Sequence, residues 1–382
     1  MLQPQMVTTY AFGFDLNKPD IRNIVHFYLP PTVEDFSQHI GLAGRDGKPA
    51  FCLAFLCVQD FNNREGRVRK EFPSLPAIEK LLHQVMIVEN ANTPVGQVFS
   101  VSHRQMSKEY DIIPYAMEMI YAILEMRFNL IQVTTSEFAE YKYVPSPEYL
   151  EEMQNDETKL GKAIREFSKL EDTWYHINVN DAAKQAGLPR EAVVDRLDHL
   201  KVKGKIELAR SRHQHRYQVM SPLPKDRTAI AKLAKQVFDL METFECDALK
   251  RCQQVIDLLT DNACTSRLLA EHFDMSLPDG KKYCGHCGFC EMRPAMKPWR
   301  PHKVLNKVKI AKLLATVQDR DDPRFLANFG FGIATPRIAE KQYHYHPLFG
   351  SLAGQDFKVS FFCCLSTLKA ESRTAAALLF AC

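Results

Sequence analysis

The hydrophobic pattern predicts an alternation of strands and helices near the start of the chain. Residues 24–29 (IVHFYL) are a short β-rich run that Pro30 and Pro31 stop. A helix-like stretch follows over 32–40, then a glycine-rich loop over 41–47 (GLAGRDG). The continuous apolar run 50–58 reads as a buried parallel strand, so Cys52 and Cys57 on it are expected in the core. The polar stretch 59–70 closes this region. An α/β domain of about 60 residues buries too little surface to stand alone. Residues 1–62 therefore read as the end of a larger domain.

Between 100 and 220 the same order of elements occurs twice. A short helix near 106–110 leads through Pro114 to a long helix over 115–127, and two strands follow at 129–134 and 137–143. Later, a short helix over 181–186 and the turn Gly187-Leu188-Pro189 lead to a helix over 190–202, then strands near 205–209 and 216–220. Helix, turn, helix and β-hairpin is the winged-helix order. The first long helix is nearly all apolar (Met117, Met119, Ile120, Ile123, Leu124, Met126), so it is expected to be buried; its acids Glu118 and Glu125 would repel phosphate. The second carries Val193, Val194, Leu197 and Leu200 as its core stripe. Arg196, His199 and Lys203 share another face, and Arg210, Arg212 and Arg216 fall in the expected wing loop. A basic helix face and a basic wing tip suit a phosphate backbone, although Asp195 and Asp198 sit on the same helix.

Composition adds limits. The 382 residues carry 49 Lys+Arg against 46 Asp+Glu, a formal charge of +3, so any polyanion site must come from local clustering. At 25% charged and 46% hydrophobic residues, the chain is ordinary for a folded protein, and its length predicts several domains. No secretion signal or membrane span is read, so the 11 cysteines are expected to be reduced in an intracellular setting and are examined for metal first.

Cys284, Cys287 and Cys290 stand at C-x₂-C-x₂-C spacing on a glycine-containing turn, which lets three thiolates converge on one tetrahedral ion. Cys252, on the helix-like stretch 247–259, is the leading fourth ligand; Cys246, Cys264 and His286 compete. A closed four-ligand zinc site is expected, with a stabilising rather than catalytic role; a single tight triad fits zinc better than an iron–sulfur cluster. Cys363 and Cys364 carry no readable signal. Arg293, Lys297, Arg300, His302, Lys303, Lys307 and Lys309 form a basic, proline-containing stretch that suits a linker, a phosphate contact or a nuclear address. A helix is expected over 304–317, and the rest reads as a small helical appendage, with the final 25 or so residues unassigned.

These motifs, in this order, resemble the RecQ family of DNA helicases. Residues 8–22 (TTYAFGFDLNKPDIR) are similar to that family's motif V, and 38–47 (QHIGLAGRDG) to its motif VI. The set Cys252, Cys284, Cys287 and Cys290 resembles its zinc subdomain, and two winged-helix-like modules before the cysteines resemble the Rothmund–Thomson branch. The resemblance implies a multidomain α/β plus α+β chain. Its expected parts are the end of a second RecA-like lobe (1–62), two winged-helix-like modules (63–148 and 149–222), a zinc-binding helical subdomain (223–295), and a basic linker with a tail (296–382).

The resemblance further implies ATP-driven 3′–5′ translocation on DNA in an intact motor, with forked or partly single-stranded duplex and repair proteins as partners, and a nuclear location in a eukaryote. Arg45 matches the second arginine of motif VI, Gln38 its leading glutamine, and Gly44 lies in the nucleotide-facing loop. Three departures stand out. Leu42 replaces the first motif VI arginine, and Asp15 and Asn17 replace the usual glycine and aspartate of motif V. The chain also contains no G-x-x-x-x-G-K-[ST] loop and no Asp-Glu-x-His box, so ATP and Mg²⁺ are expected only where a first lobe is supplied. A motor-less DNA- or protein-binding adaptor, or a truncated gene product, is the alternative reading.

Overall fold

The computed structural model describes residues 6–7, 18–293, 306–319, 321–358 and 361. The chain divides into two compact units: Met1–Leu81 with Tyr110–Ala116 and Ala231–Cys382, and Leu82–Glu109 with Met117–Ile230.

The first unit opens with β1 (Asn23–His26), α1 (Val33–Ile40) and β2 (Phe51–Ala54). The strands pair in parallel, Asn23 opposite Phe51 and His26 opposite Ala54. Thr32 caps α1 by accepting the Asp35 N–H at 3.1 Å, and Glu34 and Asp35 place negative charge in the first turn. The loop after α1 needs glycine at 44: its φ is +66°, and a Cβ there would meet the Lys48 carbonyl oxygen at 2.9 Å. The expectation of a buried second strand is corrected. Phe51 and Phe55 are about half exposed, and Cys52 and Cys57 are exposed rather than core residues. The sheet has only two strands among the described residues, so most apolar positions on it find nothing to pack against. The polar stretch that follows forms α2 (Val58–Lys70), and α3 (Leu75–His83) comes after it.

The second unit contains a π-helical turn (Gln84–Glu89), β3 (Val98–Val101), α4 (His103–Tyr110), α5 (Pro114–Met126), β4 (Ile131–Val133) and β5 (Glu137–Pro145). It continues with α6 (Pro147–Asn155), α7 (Lys159–Glu166), β6 (Ser168–Glu171), β7 (Trp174–Ile177), α8 (Val179–Ala186), α9 (Arg190–Val202) and β8 (Ile206–Val219). As the apolar run requires, α5 is buried through Met117, Ile120 and Leu124. Around α8 and α9, Ala182, Val193, Leu197 and Leu200 pack with Tyr141, Tyr143 and Leu208 of the sheet. Gly187 ends α8 in the left-handed conformation at φ 65°, as a helix C-terminus commonly requires.

The expected wing is corrected too. Residues 210–216 are not a loop between two strands: β8 runs unbroken for 14 residues. Its first part pairs antiparallel with β5, from Ile206 opposite Pro145 to Gln214 opposite Glu137, and its last part pairs with β3 and β4. Those long-range ladders pair backbone groups that the expected hairpin would have left in a loop. One six-stranded sheet, ordered β3-β8-β5-β7-β6 with β4 also on β8, therefore crosses the expected 148/149 boundary.

The first unit resumes with α10 (Arg227–Thr260), α11 (Thr265–His272), α12 (Lys307–Thr316), α13 (Pro323–Phe331) and α14 (Pro336–Glu340). Among the described residues no helix is long and apolar enough to cross a membrane. The expected helix over 304–317 is present as α12, and Ile310, Leu313 and Leu314 on it join Phe325, Leu326, Phe329, Ile338 and Leu352 in a core of their own. Of the basic stretch, positions 297–303 lie outside the described residues, as does the unassigned end from 362 onward.

A buried ion cluster fastens this C-terminal bundle. Glu245 of α10 accepts from Arg69 of α2 at 3.1 Å and from Arg324 of α13 at 3.2 Å, with a second, closer Arg324 contact. Arg324 also donates to the Arg69 carbonyl at 3.0 Å, and Phe357 lies 4.6 Å beneath the Arg69 guanidinium. Removing one partner of such a cluster leaves uncompensated buried charge. Glu245→Ala is expected to cost about 3–5 kcal/mol in urea unfolding. A loss below 1 kcal/mol would show that the cluster does not hold the bundle.

Asp111 gives a second, pH-linked test. Burial pushes its carboxyl up to about 6, against the opposing hydrogen bonds from the Arg337 N–H and the Thr335 side chain. In the unfolded chain the group titrates near 3.8, so between these values the folded state holds a proton that the unfolded state has lost. The contribution is fully present below the unfolded value and is lost as pH rises through about 6. Urea titrations of Asp111→Asn at several pH values are expected to show less decline with rising pH than the parent.

Candidate metal centre and basic surface

The structure brings together Cys264, Cys284, Cys287 and Cys290, their sulfurs all within 4.8 Å of one another. The fourth thiol is not the expected Cys252. That residue lies on α10 with its Sγ facing the Pro31 carbonyl at 4.0 Å, because its helix turns that face toward α1. Cys264 comes just after α10 ends and immediately before α11, where the chain is free to turn it inward, and it is fully buried. Cys246 and His286 are exposed and stand outside the group.

The spacing suits a tetrahedral ion. Cys284 and Cys290 sulfurs are 3.8 Å apart, and those of Cys287 and Cys264 3.9 Å. Metal–sulfur bonds of about 2.3 Å set tetrahedral edges at about 3.8 Å. Gly285, at φ +81°, makes the turn that brings Cys287 back onto Cys284, whose sulfur accepts the Cys287 N–H at 3.3 Å. Burial opposes ionisation of Cys287, but the Cys290 N–H, the neighbouring thiols and the Thr265 N–H outweigh it and bring the thiol down to about 6. Burial and the crowding of Cys287, Cys264 and Cys284 push Cys290 the other way. Four thiols so close together could hold one cation between them. Four sulfurs close the coordination shell, so the centre suits a stabilising role.

The cysteine-bearing segment is built onto α1. Val33 and Phe36 of α1 pack on Val255 and Leu258 of α10, with Leu268 and Leu269 of α11 beside them. His272 of α11 meets the Glu34 carboxylate at 2.7 Å, and hydrogen bonding to His272 is the main reason that carboxyl is lowered. At the other end of α1, Gln38 and Arg45 are exposed, and the Arg45 Nε donates to the Gly41 carbonyl at 3.3 Å. Leu42, in place of an arginine, is buried. Residues 8–17 of the motif V-like stretch lie outside the described residues.

On the second unit, most expected phosphate contacts have carboxylate partners. Arg196 pairs with Asp156 at 3.3 Å, Arg212 with Glu140 at 2.9 Å, Arg216 with Glu137 at 3.9 Å, and Arg210 with Asp198. Arg210 also lies over the Phe138 and Tyr141 rings. His199 and Lys203 are exposed and have no ion pair among the described residues. The basic positions of α9 and β8 are therefore interlaced with carboxylates, and Arg210 of β8 reaches Asp198 of α9.

No family model matches the chain. The ATP-dependent helicase wrn-1 of Caenorhabditis elegans is 30% identical over 167 residues, 42% of this chain and 15% of that protein. The human ATP-dependent DNA helicase Q4 is 42% identical over 82 residues, 21% of this chain and 7% of its own length. The probable ATP-dependent DNA helicase RecS of Bacillus subtilis is 48% identical over 63 residues, 16% of this chain and 13% of the relative. The homologues are RecQ-family helicases. The chain matches 15% or less of the length of these relatives.

The metal centre makes a direct prediction. Cys264→Ser is expected to remove the cysteine-bound equivalent of the metal counted by plasma emission on the purified chain, with a marked drop in melting temperature. Cys252→Ser is expected to leave the metal content unchanged. The reverse pattern would return the fourth position to Cys252.

Proposed function

We propose that this chain is the C-terminal portion of a RecQ-like 3′–5′ DNA helicase. In this reading it closes the second motor lobe and supplies a zinc-stapled DNA-binding region, with winged-helix-like helix pairs of which the second carries the long strand β8 in place of a wing. The observation that carries it is the packing of α1, which leads into the motif VI-like loop, directly onto the cysteine-bearing helices. A motor loop and a metal subdomain sharing one apolar core suit a device in which the nucleotide-facing loop and the zinc subdomain move together. Zn²⁺ is the ion that four thiolates at these separations favour. Held there, it fixes the turn 284–290 against α11 and so supports the far side of α1.

Arg45 is the residue to face the γ-phosphate bound by a first lobe, where a guanidinium offsets charge on the transferred phosphoryl group. Gln38 and Gly44 flank it on the same helix and loop. Leu42 offers no second donor, so coupling to nucleotide rests on Arg45. A chain lacking the phosphate-cradling loop binds DNA without turning over ATP. Its DNA contacts are Lys203 and His199 directly, with Arg196, Arg210, Arg212 and Arg216 exchanging carboxylate partners for phosphate. Surface pairs of this kind are worth about 0–1 kcal/mol, small enough for such exchange. Forked or partly single-stranded duplex is the substrate class, and repair or recombination in the nucleus of a eukaryote is the setting.

Fluorescence anisotropy with a labelled fork, from low to moderate salt, tests this reading. Affinity is expected to fall with salt by a log–log slope of about −0.9 per phosphate neutralised. Lys203→Ala should weaken binding, and Glu140→Gln, which releases Arg212, should tighten it. Absence of binding at low salt by a folded chain would refute the DNA-binding reading, and ATP turnover by the purified chain would refute the motor-less one.

A further inference from the structure

Among the described residues, one more cluster outside the cysteine centre gathers metal-ligating side chains, in the second unit. His103 stands at the start of α4, Glu118 on α5 and His215 on β8, and one donor atom from each lies within 4.8 Å of the others. The sequence offers no local spacing that joins them; only the pairing of β8 with β3, Val101 opposite His215, brings the last one in. His103 is 2% exposed, and its ring is stacked 3.6 Å from that of His215 and 4.8 Å from that of Tyr121. Its Nε2 lies 3.0 Å from the Tyr217 hydroxyl. The other ring nitrogen, Nδ1, is buried with no partner, and so is Nδ1 of His215.

Two buried nitrogens without partners at one place call for an explanation, since each forfeits the hydrogen bond that water would have given it. Two neutral imidazoles and a carboxylate are a donor set for borderline divalent cations. The hydroxyl of Tyr217 supplies what such a site needs behind it. With Nε2 of His103 donating to that oxygen, the tautomer leaves Nδ1 as the free lone pair. Glu118 is exposed, which leaves an open side for entry of an ion and for a water in its fourth position. Bonds of about 2.0–2.1 Å set tetrahedral donor separations near 3.4 Å, so closure asks only for side-chain adjustment. His213, whose ring meets that of His215 edge-on at 4.5 Å, stands beside the group.

We propose that His103, Glu118 and His215 form a second divalent-metal site, distinct from the cysteine centre in ligand chemistry, that takes Zn²⁺ with one position open to solvent. The bound ion ties α4 and α5 to β8 and holds the strand that carries Arg212 and Arg216.

The test counts metal on the full chain. With the cysteine centre already zinc-loaded, titration with Zn²⁺ against a chromophoric chelator is expected to show a second equivalent. Glu118→Gln and His215→Asn are each expected to weaken that second equivalent at least tenfold and to leave the first in place. Glu118 is exposed, so its substitution does not threaten the fold. Co²⁺ provides an independent signature: the second equivalent should add weak d–d bands without the thiolate charge-transfer bands of the first. A single equivalent in the parent chain, or a second one that survives both substitutions, would overturn the proposal.

Discussion

The carboxylate of Glu245 is the point on which the first unit's C-terminal half depends. It is 5% exposed and is shared by two guanidiniums that reach it from helices far apart in the chain. Burying three charges costs several kcal/mol per ion before any attraction is counted. Here that cost is offset by satisfying nearly every group: Arg69 also binds Glu65, and Arg324 also binds a backbone carbonyl. The arrangement contributes specificity more than stability. The two guanidiniums meet one carboxylate in one arrangement, so the cluster fixes α2 and α13 relative to that point of α10.

From that anchor the unit is built outward. α10 spans 34 residues, and its later part carries Val255 and Leu258 onto α1 before ending just ahead of Cys264. The helix thus links the ion cluster to the metal centre through one rigid rod. A change of phase at either end would rotate the face that receives α1. This explains why a cysteine on the rod itself, Cys252, is spent on packing near Pro31 while the one just past its end joins the metal group.

Helix positions were legible wherever apolar spacing repeated locally, as in α5, α9 and α12. The parallel character of β2 was legible from its apolar run, whereas its exposure was not, because that depends on how many strands flank it. The three-cysteine knuckle was legible from spacing alone. The fourth ligand was not, since helix phase and the exact end of α10 decide it, and both depend on tertiary packing. The basic segment 210–216 read as a wing because its residues favour exposure. What decided its conformation was backbone pairing with β5, some 70 residues away, and no local pattern encodes that. The meeting of His103 with His215 follows from the adjoining ladder of β8 with β3, which is equally long-range and was invisible for the same reason.

The strand that replaced the wing also changes how a basic surface works. On a mobile loop, arginines would present a bare positive field and steer any polyanion at long range. Fixed on a strand and ion-paired with Glu140 and Glu137, Arg212 and Arg216 have their field largely cancelled beyond the first few ångströms. An isolated phosphate gains little by displacing one carboxylate. A backbone that offers several phosphates at strand-like spacing gains at each position while paying the ordering cost of association once. In the proposed DNA-binding reading, such a surface would discriminate against small anions in favour of extended ones, with an affinity set by how many carboxylates are displaced together.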